Sequence, residues 1–164
     1  TEDGYFKTGD IGMLDEDNFL FITDRKKEMF KTSGGKYVAP QVIENLAKAS
    51  QFIEQIMVVG DGEKMPTALV QPDFEFAKNW AVKNNISIGS SPEEIANSKE
   101  LKAEIEKELS KINAHLGKWE QVKKIELTPE IWTEDNGLLT PTLKLKRKVI
   151  KEHFIKLYDK LYDR

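Results

Sequence analysis

Apolar residues fall in short runs through the first half of the chain and at helical spacing through the second. Ile11-Gly12-Met13-Leu14 and Phe19-Leu20-Phe21-Ile22 flank the turn-forming Asp15-Glu16-Asp17-Asn18 and predict a β-hairpin. Two shorter extended pieces, Met29-Phe30-Lys31 and Lys36-Tyr37-Val38, lie either side of Thr32-Ser33-Gly34-Gly35, where paired glycines allow a tight turn and close approach of another molecule. Pro40 suits the first turn of a helix carrying Val42, Ile43, Leu46 and Ala47, which runs to about residue 49. Ile56-Met57-Val58-Val59 and Thr67-Ala68-Leu69-Val70 predict a second hairpin with a long loop, and Asp73 is placed to cap a helix with Phe76, Ala77, Trp80 and Ala81 on one face.

Ser91-Pro92-Glu93-Glu94 combines a cap, a first-turn proline and a third-position glutamate, so a helix starts there. The stripe Leu101, Ile105, Leu109, Ile112 and Leu116 predicts one long helix, with Gly117 placed to end it. Residues 122–127 read as a strand. Residues 128–143 read as a loop, punctuated by Pro129, Asp135-Asn136-Gly137 and Pro141. A last helix presents Val149, Ile150, Phe154, Leu157 and Leu161. Hairpins, a further strand and several helices make an α+β chain.

Composition narrows the function classes. At 164 residues with 39% hydrophobic positions, the chain can bury the core of one domain, or of one domain with an appendage. Lys+Arg 25 against Asp+Glu 28 gives a net charge of −3, so no global positive field attracts nucleic acid. The absence of cysteine excludes disulfides and thiolate metal sites and suits a reducing cytosol. No apolar run approaches the roughly 20 residues of a membrane span. The opening TEDGYFKTGD is neither a signal nor a transit peptide and reads as the middle of a longer polypeptide. His115 and His153 stand far apart in sequence, so no metal site is expected. Trp80, Trp119 and Trp132 are expected to serve packing, and Glu93, Glu94, Glu104, Glu106 and Glu108 to be cap and solvent-face charges.

Three separated segments together resemble the C-terminal part of the adenylate-forming superfamily of acyl-CoA synthetases, luciferases and peptide-synthetase adenylation domains. They are Tyr5-Phe6-Lys7-Thr8-Gly9-Asp10, the charged turn Asp24-Arg25-Lys26-Lys27-Glu28 with Lys31 and the glycines, and Leu139-Thr140-Pro141-Thr142-Leu143-Lys144-Leu145-Lys146-Arg147. The wording of the second and third is most similar to long-chain fatty acid–CoA ligases. The resemblance implies a small C-terminal lid domain, a β-hairpin plus a short, mainly antiparallel sheet packed with helices. Residues 1–26 would end the large N-terminal domain and carry the hairpin and hinge, and 27–164 would form the lid.

The implied reaction has two steps: fatty acid and ATP give acyl-adenylate and pyrophosphate, then CoA attacks to give acyl-CoA and AMP. By this resemblance Lys144 is the adenylation lysine, Asp10 accepts from the ribose hydroxyls, and Arg25 contacts ribose or phosphate. Lys27 is the hinge. Lys31, Gly34 and Gly35 form the turn past which CoA's pantetheine enters, and which of the two glycines matters is left open. The sequence departs from the broad pattern at Leu143, where many members carry glycine, so Lys146 rivals Lys144 for the register; Glu28 stands where many relatives have Asp. The missing N-terminal domain of the same chain is the implied partner, with fatty acid, ATP and CoA as substrates and Mg2+ as a cofactor of the intact, cytoplasmic enzyme. Nothing is expected to be bound to this segment alone, and peripheral membrane association of the parent is left open.

Read without the family, these residues have plainer roles. Asp10 can close a turn, Arg25 can pair with Asp24 or Glu28, and Lys144, Lys146, Arg147 and Lys148 can be a solvated basic run. A second reading makes the chain a polyanion-binding module that grips nucleic acid or anionic lipid through its basic clusters. The net charge of −3 and the scarcity of aromatics near those clusters count against it.

Overall fold

The structure is a computed structural model that describes residues 4–25 and 28–164, without the side chains of Ile11 and residues 23–25. The expected hinge Lys27 and the side chain of Arg25 therefore lie outside the described residues. In chain order the elements are β1 (Asp10–Leu14), β2 (Leu20–Arg25), β3 (Phe30–Lys31), β4 (Tyr37–Val38), α1 (Pro40–Ala47), β5 (Ile53–Val59), β6 (Thr67–Pro72), α2 (Phe74–Lys83), α3 (Pro92–Ala96), α4 (Lys99–Asn113), β7 (Ile125–Leu127), α5 (Arg147–His153) and α6 (Ile155–Leu161).

The centre is the three-stranded sheet β5-β6-β7. β5 and β6 pair antiparallel, Ile56 opposite Val70 and Val58 opposite Ala68, whereas β7 adds in parallel, Leu69 opposite Glu126. Strand periodicity sorts the side chains into two cores. Ile56, Val58, Ala68, Val70, Ile125 and Leu127 enter the larger one, with Ile43 and Ala47 of α1, Ala77 and Ala81 of α2, Ile95 of α3, and Leu101, Ile105 and Leu109 of α4. Met57 and Leu69 point the other way, into a smaller core with Trp132, Leu138, Leu139, Ile150, Phe154 and Leu161. Every residue of β6 is buried, as a strand covered by helices on both faces requires. At the β7 edge, Glu126 accepts from Lys102 of α4 and Lys160 of α6, each at 2.8 Å, and so ties the two helical layers together.

Two predicted helices are each broken in two. Asn97 closes α3 by donating its side-chain amide to the Glu93 carbonyl at 2.8 Å, and the Ser98 hydroxyl accepts from the Leu101 N–H to start α4. These side chains satisfy backbone groups that a continuous helix would have paired. The Ser91 capping box itself forms as expected. α4 stops at Asn113, short of Gly117, because the Asn113 side chain pairs with both the N–H and the carbonyl of Val122. The last helix is interrupted at Phe154 (φ −102, ψ 33), whose ring is buried against Trp132 with centroids 6.1 Å apart. Trp132 is 3% exposed, as packing demands, but Trp119 is 49% exposed and carries the Lys36 ammonium 5.4 Å above its ring.

β1 and β2 form the predicted hairpin, with Met13 opposite Phe21. Met13, Leu14, Phe19, Leu20, Phe21 and Ile22 are all exposed, as are Tyr5 and Phe6 before them. A two-stranded ribbon this apolar and this uncovered is marginal by itself and marks a surface for contact.

Candidate functional site

Two hairpin tips bring forward most of the sequence-predicted residues, and they are built alike. In the first, joining β3 to β4, the Thr32 N–H donates to the Lys36 carbonyl at 2.9 Å, and the Gly35 N–H donates to the Thr32 carbonyl at 2.8 Å. In the second, Thr140 N–H donates to the Lys144 carbonyl at 2.9 Å, and Leu143 N–H to the Thr140 carbonyl at 2.8 Å. In both, the threonine hydroxyl accepts from the lysine N–H, at 3.3 Å for Lys36 and 3.0 Å for Lys144. In both, the residue before the lysine has positive φ, +81° at Gly35 and +57° at Leu143. This is the three-residue hairpin loop whose last position turns left-handed. The shared Thr-x-x-x-Lys spacing is visible in the sequence, yet the likeness of the two loops emerges only from their hydrogen bonds.

Leucine is an uncommon choice for a left-handed position, which costs an L-residue about 1–2 kcal/mol relative to glycine. Leu143 thus occupies a glycine's conformation. Leu143→Gly is expected to be neutral or to stabilise the chain by up to about 1 kcal/mol in chemical unfolding, because strain relief offsets the added freedom of the unfolded state. A loss above about 1 kcal/mol would contradict the strain.

Lys144 is exposed at its tip, and the tip borders a cleft of about 270 Å³ with Glu28, Gln41, Glu44, Asn45, Lys48 and Arg147. Arg147, the first residue of α5, anchors the base of this loop. Its guanidinium donates to Glu44 Oε2 at 2.6 Å and to the Val58 carbonyl at 3.2 Å, and its Nε lies 3.8 Å from Glu28. Glu44 is 5% exposed and also accepts from the Val58 N–H at 2.7 Å. Burial pushes the Glu44 carboxyl above its ordinary 4.5, and the Arg147 guanidinium and the Val58 N–H offset that only in part. Removing one partner of such a buried pair generally costs about 3–5 kcal/mol, since the other is left unpaired. Gln41 donates to Glu28 as well, so the first described residue after Lys27 is tied to α1 and to the lysine loop together.

At the glycine turn, Gly34 and Gly35 are both exposed but differ in kind. Gly35 needs its left-handed φ. Gly34 does not, and a Cβ placed there would meet nothing nearer than Thr32 Oγ1 at 3.9 Å. Lys31 is exposed, with its ammonium 5.6 Å from the Tyr37 ring. Asp10 is exposed at the start of β1, where its N–H donates to Thr8 Oγ1 at 3.1 Å. Sequence reasoning missed Glu44 and the anchoring role of Arg147, since their contact joins residues 103 apart.

The fold is the small α+β C-terminal domain of adenylate-forming enzymes. The chain belongs to the family of AMP-binding enzyme C-terminal domains, whose model matches residues 27–164. It is 42% identical over 162 residues to the long-chain-fatty-acid–CoA ligase FadD15 of Mycobacterium tuberculosis, covering 99% of this chain and 27% of that protein. It is 39% identical over 164 residues to human long-chain-fatty-acid–CoA ligase 1, covering 98% of this chain and 23% of that protein. The adenylation domain of a Mycobacterium chelonae carboxylate reductase superposes with a TM-score of 0.77 at 26% identity, over 100% of this chain and 24% of that one. The chain thus spans about a quarter of the length of the curated relatives it matches.

Proposed function

We propose that this chain is the C-terminal lid of a long-chain fatty acid–CoA ligase, a reading supported by its similarity to such ligases along nearly its whole length. The observation that carries the mechanism is the exposed Lys144 directly after a left-handed Leu143. That conformation supports matching Leu143 to the family's glycine, and so Lys144 rather than Lys146 to its lysine. Lys146 instead donates its N–H to the Leu138 carbonyl at 3.0 Å, immediately ahead of α5.

In the first step the fatty-acid carboxylate attacks the α-phosphorus of ATP and pyrophosphate leaves. The Lys144 ammonium stands between two groups whose negative charge crowds together as they react, so it stabilises the transition state more than the ground state. Asp10 accepts from the ribose hydroxyls and Arg25 donates to ribose or phosphate. The lid then pivots at Lys27 and presents the glycine turn. The CoA thiol attacks the acyl carbonyl and AMP leaves. Lys31 flanks the passage, and Gly34, whose backbone has no need of glycine, leaves the clearance for the thin pantetheine arm.

Residues 1–26 belong in this reading to the end of the large domain, and the uncovered apolar hairpin supports that assignment. The large domain supplies the adenine and acyl sites. Among the described residues no three His, Asp or Glu side chains gather to hold a metal; in this reading Mg2+ would accompany the ATP of the intact enzyme. No helix among the described residues is long and apolar enough to cross a membrane. The polyanion reading gains no support: the relatives matched along the chain are ligases, and Arg147 of the basic run is committed to Glu44. The test is ATP–pyrophosphate exchange by the isolated 164 residues, which is expected to be undetectable. Measurable exchange would overturn the reading of the chain as a lid.

A further inference from the structure

The glycine turn is braced from behind by a loop that sequence reasoning left as a plain connection. Residues 60–63, between β5 and β6, run alongside β3. Gly62 N–H donates to the Lys31 carbonyl at 2.8 Å, and the Ser33 N–H, inside the turn, donates to the Glu63 carbonyl at 2.8 Å. Asp61 Oδ1 accepts from the Lys31 N–H at 3.4 Å. At Gly60 the loop backbone meets the Phe30 ring so closely that a Cβ would lie 2.7 Å from it. Glu63 then fastens this loop to the C-terminal helix. Its carboxylate accepts from Arg164 at 2.9 and 2.7 Å and from the Tyr158 hydroxyl at 3.0 Å. The Glu63 side chain is only 12% exposed and Tyr158 3%. Burial and the adjacent Glu63 carboxylate push the Tyr158 hydroxyl up, so it remains a donor.

We propose that Glu63 is a positioning residue for the thioester-forming step: its carboxylate, held by Arg164 and Tyr158, fixes the carbonyl on which Ser33 and the glycine turn hang. The proposal rests on the reading of that turn as the CoA passage. Among the described residues the Glu63 carboxylate bonds Arg164 and Tyr158, whereas Arg147 at the base of the lysine loop bonds Glu44, so no hydrogen bond joins Glu63 to that loop. Its effect should therefore fall on one half-reaction alone.

The test uses the full-length ligase with Glu63→Ala, Glu63→Gln and, as a reference, Gly34→Leu. Acyl transfer from supplied acyl-adenylate to CoA is measured beside ATP–pyrophosphate exchange, which needs a folded lid to deliver Lys144. Glu63→Ala is expected to slow transfer by roughly 10- to 100-fold, with exchange nearly unchanged, since a small misplacement of a positioned group costs rate on that order. Glu63→Gln keeps an acceptor for Tyr158 and should recover part of the loss. Parallel loss of both activities would make Glu63 merely structural and overturn the proposal, as would unchanged transfer in Glu63→Ala while Gly34→Leu is slow. If Gly34→Leu is not slowed either, the passage reading itself fails and the brace with it.

Discussion

Lys144→Ala in the intact ligase is expected to lower ATP–pyrophosphate exchange by about 100- to 1,000-fold, the range lost when one preorganised group is removed from a developing negative charge. The expectation follows from placement. The ammonium sits on an exposed tip whose base is pinned by Arg147 to the buried Glu44, so it is presented on a rigid stem. In the proposed reaction its charge is most useful when carboxylate and α-phosphate meet, because two anions must then share a space that water no longer fills. Lys146→Ala supplies the contrast, with little effect expected if Lys144 holds the register.

Gly34→Leu should have the next largest effect, slowing acyl transfer to CoA by about 100-fold at saturating acyl-adenylate. The substitution is chosen because the lid can accommodate it. Gly34 has no left-handed φ, it is exposed, and the nearest atom to a new Cβ is 3.9 Å away. A slow enzyme would then report an obstructed passage and not a damaged fold. Gly35 could not be read so cleanly, since any side chain there strains the backbone at φ +81° whatever it does to CoA. Transfer at an undiminished rate in Gly34→Leu would remove the passage from the glycine turn.

What the sequence made legible was local. The Ile11–Leu14 and Phe19–Ile22 runs, the Ser91 capping box and the Asp73 cap each depend on residues a few positions apart, and each formed. Asn97 and Ser98 carried an equally local signal, but the apolar stripe through Leu101 masked it. The parallel addition of β7 to β6 was not legible, because it joins Val70 to Leu127 across the whole of α2, α3 and α4. The same holds for the site. Lys144 and the glycines stand in motifs, whereas Glu44 and Glu63 look like ordinary glutamates in a helix and a loop. Their partners Arg147 and Arg164 arrive about a hundred residues later, and only the folded chain brings a carboxylate, buried at Glu44 and partly buried at Glu63, behind each tip. Leu143 was illegible for another reason. Nothing in a leucine announces a left-handed backbone, which here is imposed by the closed Thr140–Lys144 turn.

The proposal that the lid acts twice, with a different tip each time, is tested most directly by single-turnover transfer from supplied acyl-adenylate to CoA in the Lys144→Ala enzyme. The rate should stay within about threefold of the unsubstituted ligase, because a group used only in forming the adenylate contributes nothing once it exists. Loss of that transfer in step with the loss of exchange would mean that the two tips do not work in turn.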